Sequence, residues 1–111
     1  MTHKMNLGNE PFVKIKNGDK IIESRLFDEK RSKVNIGDEI EFTFNEDQIE
    51  KILTEVVALY RYRSFEELFS DFPSKYFGGN SKEELLKEIE QFYSKEEQEK
   101  YGVVGIKIKR T

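Results

Sequence analysis

The chain has 111 residues, 37% of them charged and 36% hydrophobic, with nine Phe, five Tyr, a single His and no Cys. That length predicts one domain over residues 1–111 carrying one cleft, and the aromatic and aliphatic content is enough to build a core, which excludes a disordered chain. With 19 Lys and Arg against 22 Asp and Glu the formal charge is −3, which excludes coating of nucleic acid through a general positive field, and the absence of thiols excludes a disulfide framework, thiolate nucleophiles and cysteine metal sites.

From Thr2 to Leu7, His3, Met5 and Leu7 share one parity, which predicts a short strand with one buried face. Asn9 reads as a helix cap, with Glu10 and Pro11 in the first turn, Phe12 and Ile15 on one side and Gly18 as the stop. The run GDKIIESR, Gly18 to Arg25, comes straight after that stop. Its β-branched Ile21 and Ile22 favour extended backbone, so Glu23 and Arg25, two residues apart, fall on one face of a strand just beyond Lys20. Asp28 to Asn35 is polar and turn-like. Gly37-Asp38 then introduces a strand in which Ile40, Phe42 and Phe44 alternate with Glu39, Glu41 and Thr43.

Ile49 to Arg63 is the longest extended segment. It is apolar on both parities, Ile52, Val56, Ala58 and Tyr60 on one and Leu53, Val57 and Leu59 on the other, which predicts a strand bending around a closed or nearly closed barrel. Three S-x-x-E sequences follow, Ser64 with Glu67, Ser81 with Glu84 and Ser94 with Glu97, each the pattern of a capping box at a helix start. Phe65, Leu68, Phe69 and Phe72 give the first of these helices its apolar stripe before Pro73, and Leu85, Leu86, Ile89 and Phe92 do the same for the second. The Gly78-Gly79 pair marks a turn, and Gly102 ends the third helix. A last strand, Val103 to Arg110, alternates Val104, Ile106 and Ile108 with Gly105, Lys107 and Lys109. The expected fold is α+β, a small bent mixed β-barrel with short helices packed at its ends.

Charge is unevenly spread. Between Lys14 and Lys33 there are seven Lys or Arg against four acids, and between Ser81 and Lys100 seven acids against four lysines, so a basic rim and an acidic helical flank are expected. No apolar run is long enough to span a bilayer and no apolar signal core opens the chain, so the expected location is cytoplasmic with no membrane contact.

One histidine, His3, leaves no material for a Ser/His/Asp triad or a histidine zinc site, and no phosphate-cradling G-x-x-x-x-G-K-[ST] or G-x-G-x-x-G occurs. No metal and no cofactor are expected. What carries chemistry is Lys20, Glu23 and Arg25. A desolvated lysine can act as base or nucleophile, Arg25 can clamp a phosphate or carboxylate, and Glu23 can orient either or move a proton between groups. The alternative is a packed ion pair in which Glu23 simply neutralises Arg25.

The chain resembles the ASCH-domain family, whose fold is similar to that of PUA domains. The residues that carry the resemblance are His3, Leu7, Pro11-Phe12, GDKIIESR (Gly18 to Arg25), DEKR (Asp28 to Arg31), Gly37-Asp38 with Phe42, Ser64-Phe65, Tyr93-Ser94 and YGVVGI (Tyr101 to Ile106), nearly the full length. The resemblance implies a PUA-like barrel with a cleft for RNA or a nucleotide-like ligand, lined by Lys20, Glu23 and Arg25, with His3 at the cleft by analogy. Some small members of the family are amidohydrolases of acetylated cytidine whose lysine corresponds to Lys20. They carry a threonine at the position of Glu23 and an acidic residue near the position of Gly78, and this chain departs from them at both.

The expected partner is therefore single-stranded RNA or a nucleotide-like small molecule, with Arg31 and Arg61 adding cations and Tyr60, Tyr62 or Tyr93 offering a face for stacking, in a role tied to RNA metabolism or translation. A pI near 5.3 predicts modest affinity and a shallow salt slope. A hydrolase of a modified nucleoside or of RNA, with Lys20 and Glu23 as its catalytic pair, is the alternative, and a ligand-free adaptor a third. The sequence alone fixes neither whether the chain is an enzyme nor its oligomeric state.

Overall fold

The first strand, β1 (Thr2–Leu7), runs as the alternation predicts, with Met5 and Leu7 buried. This computed structural model describes residues 1–47 and 49–111. Helix α1 (Asn9–Asn17) follows at once. Its cap is Gly8 rather than the expected Asn9, which is already helical; the Gly8 carbonyl accepts from Phe12 N at 3.1 Å. Pro11 sits in the first turn, where its missing N–H has no acceptor to lose, and Gly18 closes the helix in a left-handed turn.

β2 (Ile22–Leu26) comes next, then a single turn of helix, α2 (Glu29–Ser32), in the stretch expected to be polar and turn-like. The Asp28 carboxylate holds that turn by accepting from Arg31 N at 3.0 Å. β3 (Glu39–Phe44) and β4 (Lys51–Tyr62) form an antiparallel pair, the latter two residues shorter at its start than its apolar pattern. Three helices and a 3₁₀ turn are then inserted before the last strand: α3 (Phe65–Ser70), the turn Ser74–Phe77, α4 (Lys82–Ile89), α5 (Lys95–Tyr101) and β5 (Val103–Arg110). All three serines cap as expected, each hydroxyl accepting from the backbone of the glutamate three residues on, at 3.1 or 3.2 Å. Only Glu97 returns the bond, to Ser94 N at 3.0 Å; Glu67 turns to Arg63 N and Glu84 to Asn80.

The five strands make one mixed sheet in the order β1-β3-β4-β5-β2, with β1 parallel to β3 and every other pair antiparallel. The sheet curls into a half-barrel, and β4 shows why its two parities are both apolar. Ile52, Thr54 and Val56 face inward, and a bulge between Val56 and Ala58 then switches the register. Beyond it Leu59 points inward, while Ala58, Tyr60 and Tyr62 turn outward toward the inserted helices.

Two apolar layers result. Inside, Met5, Ile40, Phe42, Ile52, Val56, Val104 and Ile106 meet Phe12 and Ile15 of α1. Outside, Ile22, Leu26 and Val103 meet Phe65, Leu68 and Phe69 of α3, with Phe77 and Leu85. Gly105 lets α3 approach β5 this closely, since a Cβ there would stand 2.9 Å from Leu68 Cδ1 and 3.2 Å from Ile22 Cγ2. No helix among the described residues is long and apolar enough to cross a membrane.

β1 and β2 are the two edges of the curl, and cations stand where a closed barrel would have ladder bonds. Arg25 Nη2 donates to Asn6 O at 3.0 Å and Lys30 Nζ to Lys4 O at 3.1 Å. The seam between these edges is where the cleft opens.

Candidate functional site

β2 pairs only with β5, in a register that sets Glu23 opposite Ile106 and Arg25 opposite Val104, both inner-face residues. Glu23 and Arg25 therefore point into the curl, toward β1, while Ile22, Ser24 and Leu26 face the helices. Lys20 precedes the strand and reaches back to the same carboxylate. Lys20 Nζ lies 2.7 Å from Glu23 Oε1, and Arg25 Nε donates to Glu23 Oε2 at 2.6 Å. One carboxylate, only 3% exposed, thus holds two cations, one on each oxygen. Arg25 also meets the Tyr93 hydroxyl, besides its bond to Asn6 O.

Burial pushes the Glu23 carboxyl up, but the Lys20 ammonium and Arg25 guanidinium more than reverse this and hold it at about 2. For Arg25, burial works against the charge, and Glu23 and then Tyr93 overcome it, so its pKa lies above the ordinary value. Counted by formal charge, two cations against one carboxylate, the triad carries one net positive charge. It sits on the wall of a cleft of about 340 Å³ between the two sheet edges, α1 and α4.

The other walls are apolar and aromatic: Leu7 and Pro11 on one side, Phe69, Phe77, Leu85, Ile89, Phe92 and Tyr93 on the other. Tyr93 is stacked on Phe65, with centroids 5.7 Å apart, and Phe92 stands 75% exposed at the cleft. Three further charges line the cleft. Lys14 Nζ donates to Glu10 Oε1 at 3.0 Å and to Gly78 O at 2.5 Å, and Glu88 adds a carboxylate from α4. The full lining is therefore balanced, three cations against three carboxylates, but Glu10 and Glu88 are exposed to solvent while Glu23 is buried under its two partners. The positive excess is confined to the interior. A site of this kind favours a flat, largely uncharged group with acceptor atoms at one edge, held between aromatic side chains and unspent N–H donors of Lys20 and Arg25.

Gly78 bears on this arrangement directly. Its φ of 80° is left-handed, and a Cβ there would stand 3.1 Å from Lys14 Cδ and 3.2 Å from Lys20 Cβ. Gly78→Ala is expected to cost about 1–2 kcal/mol from backbone strain alone and to displace both lysines. A lower urea midpoint together with weakened ligand affinity in the same variant is the expected outcome.

Of the residues singled out from the sequence, Lys20, Glu23, Arg25 and Tyr93 line the cleft, and His3, Arg31 and Arg61 do not. His3 Nε2 is 2.8 Å from Asp38 Oδ2 at the start of β1, and that contact is the leading cause of a lowered Asp38 pKa. Arg31 pairs with Asp28 at 3.1 Å, and Arg61 lies over the Phe27 ring, 3.6 Å from its centroid. Tyr60 packs on Phe72, Tyr62 donates to Asp71 at 2.5 Å, which raises the phenol to about 12, and neither lines the cleft.

The sequence does not mark Lys14 or Phe92 as site residues. Phe92 continues the Leu85, Leu86, Ile89 spacing and so reads as core, but α4 ends at Ile89 and the turn beyond throws Phe92 outward. Lys14 had a signal, being three residues from Pro11 on the helix face that leads to Gly18. Among the described residues no group of three or more His, Asp or Glu side chains is arranged to hold a metal ion.

The ASCH domain family model matches residues 5–111. Among solved structures, the crystal structure of a hypothetical protein, PH0355, superposes with a TM-score of 0.88 at 37% identity, covering 100% of each chain. The solution NMR structure of protein PF0455 from Pyrococcus furiosus gives a TM-score of 0.74 at 35% identity over 99% of this chain and 97% of that one. An S128A mutant of ZmASCH from Zymomonas mobilis gives 0.67 at 12% identity, covering 97% of this chain and 67% of that one, a likeness of fold. No curated protein matches the chain.

Proposed function

This chain belongs to the ASCH domain family, and on that premise we propose that its cleft binds a nucleoside unit of single-stranded RNA, the base edge meeting Lys20 and Arg25 and the base plane resting against Phe92 and Tyr93. The observation that supports this most is the Lys20–Glu23–Arg25 triad. Its shared buried carboxylate fixes two cationic donor groups at one wall of an aromatic cleft while leaving N–H groups of both unspent. The preorganisation matters: neither side chain has to be ordered when the ligand arrives.

The hydrolytic alternative finds less support in the same geometry. A carboxyl held at about 2 is ionised throughout the neutral range and too weak a base to move protons there, so Glu23 acts as a holder of charge rather than a shuttle. Glu10 and Glu88 are the other carboxylates at the cleft, and Glu10 is turned to Lys14.

The test is a fluorescence-anisotropy titration of a labelled, random-sequence single-stranded RNA hexamer against wild type, Lys20→Ala and Arg61→Ala. Loss of one charge-assisted hydrogen bond predicts roughly tenfold or greater weakening for Lys20→Ala, with Arg61→Ala unchanged. Equal binding by wild type and Lys20→Ala would overturn the assignment. In a parallel incubation with acetylated cytidine no product is expected; product formation that Lys20→Ala abolishes would make the protein an enzyme instead.

A further inference from the structure

A second cavity, of about 440 Å³, lies on the far side of Gly78 from the cleft, and the two share Lys14 and Gly78 in their walls. The hydrogen bond from Lys14 Nζ to Gly78 O, carried on a flexible lysine stem, stands in the wall they share. The second cavity is more open in character and less aromatic. Beyond the partition it is lined by Lys75 and Tyr76 of the 3₁₀ turn, by Asn80 and by Asp19. Its charges are Lys14 and Lys75 against Asp19, an excess of one cation. Lys75 is exposed and has no side-chain partner among the described residues, in contrast to Lys14, Lys20 and Arg25. The Asn80 amide has one long contact, 3.4 Å to Glu84 Oε2, and is otherwise open to the groove.

We propose that this second cavity is a phosphate subsite, and that the ligand is a polynucleotide strand whose base sits in the cleft and whose adjoining backbone phosphate crosses the Lys14–Gly78 partition to Lys75 and Asn80. The inference rests on the nucleoside assignment of the cleft and adds to it a second contact, to the phosphate next to the bound base. The chemistry differs on the two sides in the way a strand requires. The cleft is charge-balanced and aromatic, fit for a base, and the groove beyond it holds an unpaired ammonium and an amide donor, fit for a phosphate oxygen. Lys14, bonded at the boundary to a carbonyl and to an exposed carboxylate, exchanges those neutral or screened partners for the phosphate itself.

The experiment compares the four free nucleosides, adenosine, cytidine, guanosine and uridine, which carry no phosphate, with a random-sequence single-stranded RNA hexamer, on wild type, Lys75→Glu and Lys75→Arg, across a salt series. In wild type the hexamer is expected to bind at least tenfold tighter than the best nucleoside. Lys75→Glu is expected to remove that advantage, leave nucleoside affinity within twofold and flatten the hexamer's plot of log K against log salt by about 0.7, the single-strand value for one phosphate contact. Lys75→Arg should keep both the advantage and the slope. Equal affinity for nucleosides and hexamer in wild type, or equal weakening of both by Lys75→Glu, would overturn the subsite while leaving the cleft assignment intact. Saturable binding of neither would overturn the cleft assignment and the subsite with it.

Discussion

Glu23→Gln is expected to destabilise the protein by about 3–5 kcal/mol, the cost of breaking a buried ion pair by removing one member and leaving the other charged. Here two cations lose their shared partner at once, and an amide offers only one oxygen to replace two. Urea denaturation at pH 7 measures the effect. The same carboxylate predicts the sign of the acid response. Its pKa is about 2 in the fold and returns to the ordinary 4.5 when unfolded, so the unfolded chain binds the proton more readily. The stabilisation is complete above about pH 5 and is lost as pH falls toward 2. In Glu23→Gln that part of the pH dependence should vanish, so the gap between wild type and variant narrows in acid.

Arg25→Met is expected to cost about 2–3 kcal/mol, less than Glu23→Gln because Lys20 still pairs with the carboxylate. Its distinguishing effect is local. Arg25 ties the two sheet edges together through Asn6 O, so hydrogen exchange should show β1 amides losing protection before those of β5, which is flanked by strands on both sides. Arg25→Lys should not rescue it. A single ammonium cannot meet Glu23 Oε2 and Asn6 O in the directions set by a planar guanidinium.

Much of this fold is legible in the sequence because it rests on local rules. The alternation of Ile40, Phe42 and Phe44, the Ser-x-x-Glu starts and the Gly18 and Gly102 stops depend only on near neighbours, and each element forms where they place it. The exceptions have physical causes. Gly8 displaces Asn9 as cap because the chain leaves β1 and enters the helix one residue early, without needing a side-chain acceptor. Two of the three capping glutamates find a competing donor just upstream of the serine. The two apolar parities of β4 do report curvature, but through a register switch at a bulge that spacing alone does not reveal.

The site divides along the same line. Glu23 and Arg25 share a face by the two-residue period of a strand, and Lys20 is within reach of Glu23 through the short approach to β2, so the triad follows from one eight-residue run. Which other residues join it is a tertiary matter. His3, Arg31 and Arg61 have the right chemistry and other partners, Asp38, Asp28 and Phe27. Phe92 and Lys14 reach the cleft only because a helix ends one turn short and because Gly78 brings a loop against α1.

Occupation of the cleft between β1 and β2 by a nucleoside unit, as proposed, is tested by a backbone amide NMR titration of the protein with the single-stranded RNA hexamer. Binding in the cleft predicts saturable shift changes concentrated at Asn6 to Gly8, Lys20 to Arg25, Gly78 and Phe92-Tyr93. Changes concentrated instead on the exposed face of β1, β3 and β4, or around His3 and α2, would contradict it.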